Sequence, residues 1–149
     1  MKQGNYARMV LMLCLSFLIM YGVMFLNVYE YGHIYLSATR LYMTLLMVCP
    51  MAVLMLVVMG KMYTNKKRNA IILLSSIVVF IFSLVALRRQ IMVSDVQYMK
   101  AMIPHHSSAI LTSSYADIKD PEVRKLADDI IKAQEKEIAQ MKEMVARME

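Results

Sequence analysis

Three stretches of the chain, at about 9–29, 41–59 and 70–87, are almost wholly apolar and hold no charged side chain. Beyond residue 89 apolar and charged positions alternate instead. At roughly 1.5 Å per residue, each stretch is long enough to cross about 30 Å of hydrocarbon. The pattern predicts an all-α chain with a membrane domain of three spans over 1–89 and a separate unit over 90–149. The first stretch runs into Asn27-Val28-Tyr29-Glu30-Tyr31 rather than a small-residue cleavage site, so it reads as a retained span and not a signal peptide.

The second unit is punctuated by local signals. Ser94-Asp95-Val96-Gln97 has the form of a capping box, which starts a helix expected to run to about Ile118. Asp120-Pro121-Glu122 then supplies an N-cap, a proline at the first helical position and an acid in the first turn. The second helix is expected from Pro121 to near Arg147, with Val123, Leu126, Ile130, Ile131, Ile138, Met141 and Val145 on one face. The unit is therefore predicted to be an antiparallel helical hairpin. Two such helices bury little core alone, and a four-helix bundle from two copies is the expected remedy, which predicts a homodimer or higher oligomer.

Composition supports the membrane reading: 59% of the 149 residues are hydrophobic and mean hydropathy is +0.49. Charge adds an orientation. The net charge of +6 falls entirely before residue 88, because residues 88–149 hold ten basic and ten acidic side chains. Lys2 and Arg8 precede the first span, and Lys61, Lys66, Lys67 and Arg68 separate the second from the third. The N-terminus and second loop are expected in the cytoplasm, and the hairpin outside a cytoplasmic (inner) membrane. Arg88 and Arg89 oppose this arrangement but are outnumbered. No basic face remains to suggest nucleic acid. Cys14 and Cys49 both fall in predicted spans, so no disulfide framework is implied.

The chemistry concentrates in Met99-Lys100-Ala101-Met102-Ile103-Pro104-His105-His106. Thioether and imidazole are soft to borderline donors, a set that suits Cu(I) and disfavours Mg²⁺ or Ca²⁺. At about 100° per residue, Met99, Met102, His105 and His106 share an arc of roughly 120°. An antiparallel turn near Ile118–Pro121 sets Met99 nearly level with Met141 and Met102 within one turn of it, so the Met cluster that includes Met141 and Met144 can converge with the first. Methionine at helical spacing also serves as adaptable core filler, and neighbouring histidines point about 100° apart, so ligation and packing both remain open for these positions.

Residues Asp95-x-x-Tyr98-Met99-x-x-Met102-Ile-Pro-His105-His106-x-x-Ala109-Ile110, Asp120-Pro121-x-Val123-Arg124-x-Leu126-Ala127 and Ala133-Gln134-x-x-Glu137-Ile138-x-x-Met141 resemble the domain of unknown function 305 family. The resemblance covers about residues 94–145. It implies a ferritin-like helical half-bundle, with periplasmic copper or silver binding and resistance in some members. It points directly to Met102, His105, His106 and Met141, and marks Gln134 and Glu137 without giving them a role. Thr112 stands where many members have Met, and Met144 where an aromatic is common. The metal set expected here is Met99, Met102, His105, His106, Met141 and Met144, with Cu(I) or Ag(I) as the ion.

Two further features invite a functional reading. Met43, Met47, Met51, Met55 and Met59 recur every four residues through the second span, with Cys49-Pro50 in the middle. A soft-metal path and a proline-kinked packing helix are both consistent with that pattern. His33 lies in the first loop, where approach to the exported site is one reading and an interfacial aromatic belt with Tyr29, Tyr31 and Tyr35 is the expected one.

Three function classes follow. The first is a membrane-anchored soft-metal protein for tolerance, storage or hand-off, partnered by a metal exporter or chaperone. The second is a structural or partner-binding membrane subunit without metal. The third, a ferritin-like metal oxidase, is disfavoured because no Glu-x-x-His occurs within residues 90–149, and no Gly-rich nucleophile turn suggests a hydrolase.

Overall fold

The computed structural model of the chain describes residues 3–149, so Lys2, counted above for orientation, lies outside the described residues. Five α-helices appear in order: α1 (Gln3–Val23), α2 (Ala38–Val58), α3 (Lys66–Arg89), α4 (Asp95–Tyr115) and α5 (Pro121–Met148). A short 3₁₀ turn, Tyr31–His33, lies between α1 and α2. The chain divides into two compact units, one of Met1–Val23 with Thr39–Met92, the other of Met24–Ala38 with Val93–Glu149.

In the first unit, α1 to α3 each contain a stretch apolar and long enough to cross a bilayer. Only 6%, 28% and 11% of those stretches is buried within the protein, so their apolar side chains face outward, as lipid contact requires. Met9, Ala52, Met55 and Tyr63 form the small interior cluster, with Tyr6, Leu13, Leu56 and Ile72 against it. One end is closed by polar groups: the Tyr6 hydroxyl lies 2.7 Å from Asn69 Oδ1, and Asn69 Nδ2 donates to the Tyr63 carbonyl at 2.7 Å. The Arg68 guanidinium sits 5.4 Å from the centre of the Tyr6 ring. Asn65 caps α3 by accepting from the Arg68 amide at 3.0 Å. At the other end of α3, Gln90 turns left-handed at φ 51° and the Ile91 amide returns to the Ala86 carbonyl.

The methionine series of α2 does not keep to one interior face. Met55 is buried, whereas Met43, Met47 and Met59 are exposed. A four-residue step overshoots the 3.6-residue turn by about 40°, and the drift carries the series around the helix.

In the second unit, α4 and α5 form the expected hairpin, and a buried core of Met99, Ile103, Ile110, Ile138, Met141 and Val145 lies between them. The Asp120 carboxylate accepts the Glu122 and Val123 amides at 2.9 Å each, with Pro121 opening α5 as anticipated. Three local expectations need correction. The capping box is half-made: Ser94 accepts the Gln97 amide, but the Gln97 side chain instead accepts the Ala38 amide at 3.0 Å. Helix α4 stops at Tyr115, short of Ile118. The third correction is larger. The first span ends at Val23 rather than near residue 29, and the chain from Met24 joins the hairpin's unit. Phe25 is buried there and the Asn27 amide donates to Ser108 Oγ at 2.8 Å, so burial and a tertiary hydrogen bond override the apolar run that reads as continued helix.

Segment Met24–Ala38 thus forms a strap over one flank of the hairpin, with Tyr35 packed on its core. The hairpin therefore has a third element, which the two-helix reading lacked.

Candidate metal centre

Helix α4 carries two opposed flanks. At about 100° per residue, Gln97, Pro104, Ser107 and Ser108 lie on the side facing the strap, and Tyr98, Met102, His105 and Ala109 on the other. Met99, Ile103, His106 and Ile110 run between them, along the line that meets α5. Pro104 sits within an unbroken helix and is almost wholly buried.

The site can be assembled on that frame. Met99 and Met141, 42 positions apart, lie in one buried cluster, and Met102 packs on its edge. The antiparallel pairing inferred from the turn is what brings them together. His106 is buried, with both ring nitrogens engaged: Nδ1 lies 2.9 Å from the Met102 carbonyl and Nε2 lies 2.7 Å from Glu137 Oε2. A carbonyl can only accept, so Nδ1 carries a proton and donates it. That fixes the ring's rotation and leaves Nε2 as the nitrogen able to hold a metal, the arrangement in which the outer hydrogen bond orients a histidine ligand.

Nε2 is covered by Glu137. The carboxylate is about half exposed, with a side-chain exposure of 51%, so it can swing into water when a cation takes its place. Glu137, marked by the sequence without a role, is the partner of His106. Its spacing of 31 residues carries no local signal, which is why the contact could not be read beforehand.

The remaining expected ligands are set apart. His105 is exposed, its ring 6.2 Å from that of His106 and steeply inclined at 72°. Met144 is exposed at 43%. The structure gathers Met99, Met102 and Met141 in one cluster, joins His106 to it through the Met102 carbonyl, and leaves His105 and Met144 exposed. Among the described residues no three His, Cys, Asp or Glu side chains come together as a metal cage.

His33 is not an interfacial belt residue. It is buried on the strap flank, with Nδ1 2.9 Å from Ser107 Oγ and Nε2 3.5 Å from Glu30. Burial first, then the Lys142 ammonium, pull its pKa below the ordinary histidine value, while Glu30 works the other way.

Fold and site together define a chain of three apolar helices and a helical hairpin unit with Met102 and His105 on its open flank. The chain belongs to the family described as Domain of unknown function (DUF305), whose pattern matches residues 84–149. It is 36% identical over 140 residues to uncharacterized protein L153 of Acanthamoeba polyphaga mimivirus, an alignment that spans 92% of this chain and 90% of that one. The match therefore includes the apolar helices as well as the hairpin. No solved structure matches the chain.

Proposed function

We propose that this protein is a membrane-anchored binder of Cu(I) or Ag(I), acting outside a cytoplasmic membrane in metal tolerance, storage or hand-off. The observation that carries the reading is His106: its Nδ1 proton is committed to the Met102 carbonyl, its Nε2 meets a half-exposed carboxylate, and Met102 packs against the core that holds Met99 and Met141. A soft monovalent cation would bind Nε2 and nearby thioether sulfurs, displacing Glu137. No chemical step on a substrate is required. His105 and Met144 at the rim would deliver the ion or complete its shell.

Orientation in this reading follows the basic residues before α1 and between α2 and α3, which favour the cytoplasmic side and put the hairpin across the bilayer. Exposed Tyr98, Val123, Leu126 and Met144 on the open flank favour a second copy of the chain over solvent, and a metal exporter or chaperone would be the recipient of the ion. Anaerobic Cu(I) titration of the full-length protein in detergent, against a competing chelator, tests the proposal. Tight Cu(I) binding that falls by tenfold or more in Met102→Leu and in His106→Ala supports it. Binding that is absent, or unchanged in the combined variant, overturns it and leaves a structural subunit whose methionines only pack.

A further inference from the structure

The strap is held by a short relay of hydrogen bonds on the flank of α4 away from the proposed ligands. The Tyr29 amide donates to Ser107 Oγ at 2.7 Å, and Ser107 Oγ lies 2.9 Å from His33 Nδ1. Ser107 is fully buried and His33 nearly so. The Glu30 carboxylate, 3.5 Å from Nε2, can only accept, so the hydrogen of the neutral buried ring sits on Nε2 and the bare Nδ1 accepts the Ser107 hydroxyl proton.

We propose that the strap Met24–Ala38 is a pH-sensitive clasp: neutral His33, by accepting the Ser107 hydroxyl proton, holds the strap on α4, and protonation of that ring releases it. The ring's surroundings decide the direction. A cavity of about 260 Å³ beside it is lined by Glu30 and Tyr29 from the strap, Ile110 from α4, and Glu135, Ile138 and Lys142 from α5. Lys142 opposes a second positive charge there. Glu30 favours one, but its side chain is 62% exposed and water screens it. Glu135 is exposed on the cavity's outer edge.

A proton arriving at Nδ1 also meets a hydroxyl that is already a donor. The Ser107 proton would have to turn to a carbonyl of its own helix, and a positive charge would be left in a nearly closed site beside Lys142, which weakens the strap's hold on α4. The sign follows. With the closed-state pKa held below the ordinary histidine value, the clasp contributes fully above about pH 6.5 and weakens as pH falls through the lowered value. No proposed metal ligand faces this flank, so the clasp stands or falls separately from the metal reading.

Amide exchange of the full-length protein in mild detergent, followed from about pH 7.5 to about pH 5.5, tests it. Tyr29 protection, corrected for intrinsic exchange, should fall several-fold on acidification and recover on return. In His33→Gln, whose amide cannot titrate, that loss should vanish. Lys142→Gln should shift the midpoint upward and Glu30→Gln downward. Unchanged protection in the wild type, or an equal acid loss in His33→Gln, overturns the clasp. If His33→Gln does not fold, the ring resonances of wild-type His33 decide. A midpoint below about 6.5 that coincides with loss of Tyr29 protection supports the clasp, and one above it overturns it.

Discussion

The two flanks of α4 hold similar side chains in opposite conditions. On the strap flank, Gln97, Ser107 and Ser108 each bond to the strap, two of them to a backbone amide or histidine that would otherwise lie buried without a partner. On the open flank, His105, Glu137 and Met144 face water and Met102 is only partly covered. Buried polar groups must be satisfied for the fold to stand, whereas partly exposed donors add little to stability and are free to serve a ligand. Two histidines make the contrast concrete. His33 offers its bare nitrogen to a serine inside the fold, while His106 turns its metal-capable nitrogen toward a half-exposed carboxylate.

If that division is right, substitutions on the strap flank should damage stability and those on the open flank should damage metal binding. The largest effect is expected for Ser107→Ala. Removing the hydroxyl leaves the Tyr29 amide and His33 Nδ1 unpaired in a buried site, about 1–3 kcal/mol for each group, or several degrees in the melting of the hairpin's unit. A melting curve like that of the wild type would show the relay to be incidental and would erase the contrast. Cu(I) affinity should change little in this variant.

The next largest effect crosses the division. His106→Ala removes a ring that both flanks the core and ends in the half-exposed contact with Glu137, so stability should drop by about 1 kcal/mol while Cu(I) affinity falls tenfold or more. Thermal melting and competitive titration on the same preparation separate the two numbers. A large loss of stability with no loss of affinity would move His106 to the structural side.

Met102→Leu sharpens the point because it keeps bulk and apolarity and removes only the sulfur donor. Stability should stay within about 1.5 kcal/mol of the wild type, and affinity should fall. Equal affinity in both proteins would mean that Met102 only packs.

These flanks also show what the sequence could and could not yield. The start of α5 was legible because Asp120, Pro121 and Glu122 act on their own neighbours, and the convergence of Met99 with Met141 followed from the short turn and the helical period. The three apolar helices were legible from composition along the chain. The strap was not, because Met24–Val28 continue the apolar run of α1 and nothing local shows that Phe25 is buried and Asn27 is claimed by α4. The bonds that hold it join positions 59 to 81 apart, and half of them use backbone amides, which every residue possesses. Gln97 illustrates the same limit: its place three residues after Ser94 fits a local cap, yet a tertiary partner took its oxygen. Glu137 stood out only by resemblance, and its pairing with His106 became visible once α4 and α5 were in register.

The smallest effects are expected at the rim, and they test where the open flank's site ends. Met144 is 43% exposed, whereas Met141, three residues earlier, is buried among Met99, Ile138 and Val145. Met144→Leu should leave stability within about 0.5 kcal/mol of the wild type, since no buried contact is lost. Met141→Leu should cost up to about 1.5 kcal/mol through repacking. For affinity the pair is diagnostic. If the ion sits beside His106 within the hairpin, Met141→Leu should weaken Cu(I) binding clearly and Met144→Leu by no more than a few-fold. If instead Met144→Leu is the more damaging of the two, the ion is held at the exposed edge with His105, and the centre of the site must move outward, away from the core methionines.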